Sequence, residues 1–340
     1  MSGRRCSANL GCVARYLITG GAGFIGSHLA EALLARGDEV AVLDSLSTGR
    51  LSNLDAVSDN PRFSFTQGSV LDELAVDQAV RECDVVVHLA AAVGVKLIVE
   101  QPLYSLTTNI RGAISVLEAA HRYRRKAMVA SSSEIYGKNN SEALDETSDR
   151  ILGSPAVARW AYSTSKAVDE ILAYAYHRER GLPTIVVRLF NTVGPRQSPA
   201  YGMVIPRFVR QALAGEALTV YGDGSQTRCF CHVADVVRAL TALLDEPRAE
   251  GDVFNVGSSE EISIEELAER VIERTASSSE LVHLPYDVAY EAGFEDMAKR
   301  VPDVSKVREL TGWKAERRLA DVLDDVIAEV RAEYALSQQE

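Results

Sequence analysis

The segment Tyr162-Ser163-Thr164-Ser165-Lys166 sets a phenol and an ammonium four residues apart. In a helix that spacing puts both groups on one face. A nearby ammonium stabilises a phenolate, so the pair predicts a tyrosine pKa drawn from about 10 towards neutrality. A phenolate so placed is a general base for a hydroxyl whose carbon loses hydride. Tyrosine and lysine also share exposed helix faces without doing chemistry. The pair therefore needs a hydride-accepting cofactor nearby.

Thr19-Gly20-Gly21-Ala22-Gly23-Phe24-Ile25-Gly26 has the composition of such a cofactor's cradle. It follows a strand-like run at 16–19 and opens a helix-like run at 24–35. Gly20 permits the tight turn, Gly23 lets backbone approach a pyrophosphate, and Gly26 lets helix and strand pack closely. The helix N-terminus, with Phe24 and Ile25 in its first turn, offers free N–H groups and partial positive charge to the anion. Asp44 closes a second strand-like run, 40–44. A carboxylate there accepts hydrogen bonds from adenosine ribose hydroxyls and repels a 2′-phosphate. The expected cofactor is NAD rather than NADP.

Ser131-Ser132-Ser133-Glu134-Ile135-Tyr136-Gly137 ends the apolar run 127–131. A hydroxyl there can hydrogen-bond a reacting oxygen, and the Glu134 carboxylate can transfer a proton. The bland reading of the same residues is a serine capping cluster with a solvated glutamate.

These groups need a frame. Runs 63–66, 84–89 and 184–189 read as further strands, and 103–123 and 156–180 as helices. Strands alternating with helices predict an α/β fold, a Rossmann-type doubly wound parallel sheet with right-handed crossovers. Ligands of such a sheet sit beyond the carboxyl ends of its strands. After Asn191 the rhythm loosens. Runs 204–214, 234–244, 264–275 and 319–334 read as helices and 229–233 as a short strand. A smaller C-terminal α/β substrate lobe, interleaved with the first, is expected. The expected division is a loose tail at 1–13, a cofactor domain mainly at 14–190 and the lobe mainly at 191–340.

The chain has 340 residues and a net charge of −12, which argues against non-specific nucleic-acid binding. No apolar run approaches membrane-spanning length, and no apolar stretch follows Arg4 and Arg5 as a signal peptide would require. Five scattered cysteines, Cys6, Cys12, Cys83, Cys229 and Cys231, form neither a disulfide framework nor a zinc spacing. Reduced thiols in a cytoplasmic protein without a metal are expected.

Taken together, the motifs resemble the extended short-chain dehydrogenase/reductases that act on nucleotide sugars. The resemblance runs from Thr19 to Trp313. It includes Thr19–26, Val87-His88-Leu89-Ala90-Ala91, Asn109, the serine–glutamate motif, Tyr162/Lys166 and Arg188-Leu189-Phe190-Asn191-Thr192. Gly194-Pro195-Arg196, Thr219-Val220-Tyr221-Gly222, Gln226-Thr227-Arg228, Arg300 before Pro302-Asp303, and Gly312-Trp313 complete it. The resemblance implies NAD held by the glycine turn, by Asp44, Ser45, Ser47, Thr48 and Gly49, by Ser69 and Val70 at the adenine, and by Leu89, Ala90, Ala91 and Asn109. It implies a UDP-sugar facing Lys96, Asn191, Arg207, Arg228 and Arg300, with Thr219 and Tyr221 beside the uracil. It also implies a homodimer through helices 103–123 and 156–180.

Within the family, Ser132-Ser133-Glu134 followed by Ile135-Tyr136-Gly137 is similar to the UDP-glucuronate decarboxylases, with serine in place of threonine. Tyr162, Lys166, Ser132, Ser133, Glu134 and Arg228 are then the expected catalytic set. Glu134 would manage protonation of the ring carbon, and Arg228 would orient the carboxylate or pyrophosphate. The product would be UDP-xylose or the 4-keto pentose. The segment 92–102 and Arg159-Trp160 depart from the animal decarboxylases. A 4-epimerase of UDP-glucose or UDP-glucuronate, a 4,6-dehydratase, and a non-catalytic NAD-binding scaffold stay open at this point.

Overall fold

The computed structural model describes residues 13–199, 203–285, 297 and 299–337. Its centre is a parallel sheet of β1 (Arg15–Thr19), β2 (Glu39–Asp44), β3 (Phe63–Gln67), β4 (Val85–His88), β5 (Lys126–Ser132), β6 (Thr184–Leu189) and β7 (Asp252–Val256). The spatial order is β7-β6-β5-β4-β1-β2-β3. Strand order reverses between β1 and β4, which makes the crevice where a doubly wound sheet binds ligands. Helices cover both faces, so strands such as β6, Thr-Ile-Val-Val-Arg-Leu, are apolar almost throughout instead of alternating.

The helices are α1 (Phe24–Ala35), α2 (Glu73–Arg81), α3 (Val95–Glu100), α4 (Pro102–Tyr123), α5 (Arg159–Arg180), α6 (Val204–Ala214), α7 (Val233–Asp245), α8 (Ile264–Thr275), α9 (Ser305–Thr311) and α10 (Leu319–Ser337). One face of the sheet buries Leu29 and Leu33 of α1 with Val236 and Leu240 of α7. The other buries Val80 of α2, Val116 and Leu117 of α4 and Ala173 of α5. A separate core joins Val209 of α6, Leu267 of α8, Val322 of α10 and the strand Leu218–Tyr221. That is the lobe expected after Asn191.

The interleaving has a concrete form. After the lobe begins, the chain returns to lay α7 on the first core and to add β7 beside β6. The sequence rhythm did not reveal β7, because five residues with an aspartate and an asparagine carry little periodic signal. The expected strand at 229–233 is corrected. Thr227–Cys229 pairs with Glu261–Ser263, Cys231–His232 pairs with Thr192–Val193, and Val233 already opens α7. The helix expected from residue 156 begins at Arg159, after a turn.

Among the described residues, no helix is long and apolar enough to cross a membrane, and no cluster of His, Cys, Asp or Glu could hold a metal ion. Cys83, Cys229 and Cys231 are buried free thiols, while Cys6 and Cys12 lie outside the described residues.

Candidate active site

A cavity of about 630 Å³ runs from the glycine turn, past the ends of β4 and β5, into the lobe. At one end Gly20 has φ +73°, and a Cβ there would stand 2.7 Å from the Ala90 nitrogen. Only glycine takes that backbone at that spacing. Gly26 sits under the turn, where a Cβ would stand 2.5 Å from the Gly20 carbonyl oxygen. No side chain caps α1 at Gly23, so its first N–H groups face the cavity without a competing carboxylate or hydroxyl. The Asp44 carboxylate accepts from the Ala22 N–H at 2.9 Å and the Leu46 N–H at 2.8 Å, which fixes its orientation at the cavity edge. These features fit a dinucleotide: an uncapped helix start for a pyrophosphate, and a fixed carboxylate for ribose hydroxyls.

Phe24, Ile25, Ser45, Ser47, Thr48, Ser69, Val70, Leu89, Ala90 and Ala91 line the same cavity. Gly49 lies behind the wall, close against Ala22 and Asp44. Asn109 also stands behind the wall. Its Oδ1 accepts from the Ala92 N–H at 2.8 Å and its Nδ2 donates to Ser165 Oγ at 3.1 Å, so it braces α4 against α5. The sequence reading missed Asn53, whose Nδ2 donates to the Ala22 carbonyl at 2.9 Å from within the cavity lining.

At the middle of the cavity β5 ends in Ser132, and the first turn after it carries Ser133 and Glu134. Opposite stand Tyr162 and Lys166 of α5. The Lys166 ammonium donates to the Ala130 carbonyl at 2.9 Å and to Asp169 Oδ2 at 3.0 Å. Burial pushes the Tyr162 phenol up; Lys166 and a hydrogen bond with Ser132 pull it down, while Glu134 and Asp169 add to the rise. The net direction is upward. This corrects the expected fall, and the reason is physical. Burial of the phenol outweighs the pull of Lys166, and the carboxylates of Glu134 and Asp169 add to the rise. His88, beneath the site, is held neutral: burial and Lys166 lower it to about 3, and its Nδ1 meets Thr19 Oγ1 at 2.8 Å.

Glu134 is clamped between two arginines. Arg159 Nη1 lies 2.5 Å from Oε2 and Arg159 Nη2 donates to Oε1 at 2.9 Å. Arg300 Nη1 donates to Oε1 at 2.6 Å and to Ser133 Oγ at 3.2 Å. Burial would raise the Glu134 carboxyl, but Arg159 and Arg300 outweigh it and hold the group at about 2. At neutral pH Glu134 is therefore a carboxylate with no proton to give, and the expected proton donor must first be loaded. Arg300, expected to face the UDP-sugar, lines the cavity at the serine–glutamate motif. Arg159 was not among the expected site residues. It stands three residues before Tyr162, so Arg159, Tyr162 and Lys166 share one face of α5, and that spacing is the signal that could have found it.

In the lobe, Asn191, Arg207, Tyr221 and Arg228 line the cavity. The Arg207 guanidinium lies over the Tyr221 ring at 4.3 Å and donates to the Thr219 carbonyl at 3.0 Å. Thr219 thus supports Arg207 from outside the cavity lining. Arg228 donates to the Thr227 carbonyl at 2.8 Å, while Glu134 is paired with Arg159 and Arg300. Lys96 lies in α3, and its side chain falls outside what the structure describes.

A dinucleotide cradle, a Tyr–Lys pair and an arginine-lined lobe now share one cavity. A family model described as GDP-mannose 4,6 dehydratase matches residues 17–326. The chain belongs to that family. It is 43% identical to a UDP-N-acetyl-alpha-D-glucosaminuronate decarboxylase of Bacillus cytotoxicus, over 87% of this chain and 91% of that one. It is 35% identical to UDP-glucuronic acid decarboxylase 1 of Arabidopsis thaliana, over 93% of this chain and 70% of that one. Among solved structures, a UDP-glucose 4-epimerase of Thermotoga maritima with UDP-glucose superposes with a TM-score of 0.84 at 31% identity, covering 94% and 99% of the two chains. A dTDP-glucose 4,6-dehydratase of Streptomyces venezuelae with NAD bound superposes at 0.85 with 30% identity, covering 95% and 98%.

Proposed function

We propose that the protein is an NAD-dependent decarboxylase of a UDP-linked hexuronate, with UDP-glucuronate as substrate and UDP-xylose or the UDP-4-keto-pentose as product. The observation that carries this reading is Arg300. It is 5% exposed, commits Nη1 to Glu134 and Ser133, and leaves Nε without a hydrogen-bond partner among the described residues. A buried guanidinium donor without a partner is costly, and a carboxylate is the ligand that such a fork matches. A 4-epimerase acting on a neutral sugar has no carboxylate to place there.

Bound NAD supplies the hydride acceptor and, for the pentose product, the donor. The rest is done by side chains. Tyr162 takes the proton of the sugar 4-hydroxyl, with Ser132 bonded to its phenol and Lys166 adjacent. A ketone at that carbon stands β to the carboxylate, so the electrons of the breaking C–C bond enter an enolate. Arg159 and Arg300 keep the carboxylate, and then the enolate charge, within one positive field. Glu134, deprotonated at rest, orients these guanidiniums and the water through which a proton from solvent reaches the ring carbon. Arg207 and Arg228 hold the diphosphate, with Tyr221 at the base. The cofactor domain is mainly 14–190, with α7 and β7 returning to it, and the nucleotide-sugar lobe mainly 191–340.

The greater identity to the N-acetylated sugar's decarboxylase favours a second reading, in which the substrate carries a 2-acetamido group. Incubation with NAD and UDP-glucuronate, its 2-acetamido analogue or UDP-glucose separates these. Carbon dioxide and a UDP-pentose are expected from one uronate. A 4-epimer with all carbons retained, or no product from either uronate, overturns the proposal. A homodimer fits the exposure of Leu103 (78%) and Ile171 (63%) on α4 and α5, which pack side by side. A cytoplasmic location fits the free thiols.

A further inference from the structure

The face of α5 that carries Tyr162 and Lys166 continues one turn further to Asp169. Asp169 is 0% exposed, and its Oδ2 accepts from the Lys166 ammonium at 3.0 Å. Its Oδ1 is buried with no hydrogen-bond partner among the described residues. The next carboxylate, Glu170, is satisfied by contrast. It takes two bonds from Arg188, at 2.9 and 2.8 Å, and one from Ser131 at 2.5 Å. A counter-charge serving packing alone gains nothing from an oxygen left bare in a dry interior, where each missing bond costs about 1–3 kcal/mol. An under-satisfied carboxylate against a titratable partner is the pattern of a tuned functional site.

We propose that Asp169 is a positioning residue of the proton-transfer site, anchoring the Lys166 ammonium against the Ala130 carbonyl and limiting how much of its charge acts on Tyr162. With Asp169 ionised, Tyr162, Lys166 and Asp169 are together neutral while the phenol keeps its proton. Removing that proton leaves a net negative charge in a buried place. Tyr162 therefore ionises in step with the arrival of positive charge in the cavity, as a bound cofactor cation provides, and stays protonated in the empty site. The groups facing this face of α5 are accounted for. Ser132 and Glu134 follow β5, and Glu134 is paired to Arg159 and Arg300. His88 of β4 is neutral, and Glu170 is paired to Arg188 of β6.

The inference rests on Tyr162 as the proton acceptor, not on which sugar is bound, so its test uses no sugar. The full-length, NAD-loaded protein carries tyrosine isotope-labelled at the phenolic carbon. The Tyr162 resonance is identified by its loss in Tyr162→Phe, and its titration is followed by NMR. Asp169→Asn keeps shape and hydrogen bonding but removes the charge. It is expected to move the Tyr162 midpoint down by about one pH unit. Asp169→Glu restores the wild-type midpoint. If Asp169→Asn folds poorly, Asp169→Ser removes the same charge in a smaller side chain and is read the same way. A Tyr162 midpoint that stays put or rises without the charge overturns the proposal, leaving Asp169 a structural counter-ion. A protein that processes no nucleotide sugar would instead count against the proposed function.

Discussion

Lys166 meets a single carboxylate, Asp169, behind the cavity wall, whereas Arg159 and Arg300 share a single carboxylate, Glu134, on the wall itself. Both clusters are buried, both border Tyr162, and each mixes charges that would cost several kcal/mol alone. In the first, cation and anion match one to one and the ammonium can only modulate its neighbour. In the second, two guanidiniums meet one carboxylate, and the cluster opens on the cavity. One arrangement suits holding a proton-transfer group in a chosen state. The other suits receiving an anion.

Tyr162→Phe should break the function of the first cluster outright. Loss of a positioned base costs about 10²–10⁴-fold in turnover, while UDP affinity measured by calorimetry should be unchanged. Turnover near the wild-type rate would remove the tyrosine from the chemistry. Arg300→Gln should sharpen the contrast. It is expected to weaken UDP-glucuronate binding about 10–100-fold, the range of a charge-assisted contact, and to leave UDP-glucose binding nearly unaltered. Equal losses for the two ligands would mean that the second cluster does not read a carboxylate.

The pH dependence of stability offers a smaller effect with a definite sign. Glu134 is held at about 2 in the folded chain against an ordinary 4.5. The stability from its pairing is therefore fully present above pH 4.5 and is lost as pH falls towards 2. Arg159→Gln should move the acid-unfolding midpoint, followed by circular dichroism, to higher pH. No movement would show the clamp to be electrostatically idle. The smallest effect belongs to a surface pair outside both clusters. Removing Arg270, which meets Glu266 at 2.6 Å on the exposed face of α8, should change stability by no more than about 0.5 kcal/mol. A larger loss would show that exposed pairs here are not screened and would weaken the contrast.

Much of this was legible in the chain itself. Gly20, Gly26 and Asp44 act through backbone geometry and short-range contacts, so their spacing carried the cradle. The Tyr162–Lys166 face followed from helical periodicity, and the alternation of strand and helix up to Leu189 announced the doubly wound sheet. The partners of those residues were another matter. That Arg159 and Arg300, separated by most of the lobe, close on Glu134 depends on how the lobe docks on the sheet. So does the place of β7, whose pairing with β6 no local pattern encodes. The direction of the Tyr162 shift also lay outside the sequence. Spacing shows that an ammonium is near, but desolvation and the buried Asp169 carboxylate, which set the sign, exist only once the chain has packed. Local covalent geometry determined the motifs, and burial, which sums over the whole tertiary structure, decided their charge states and their partners.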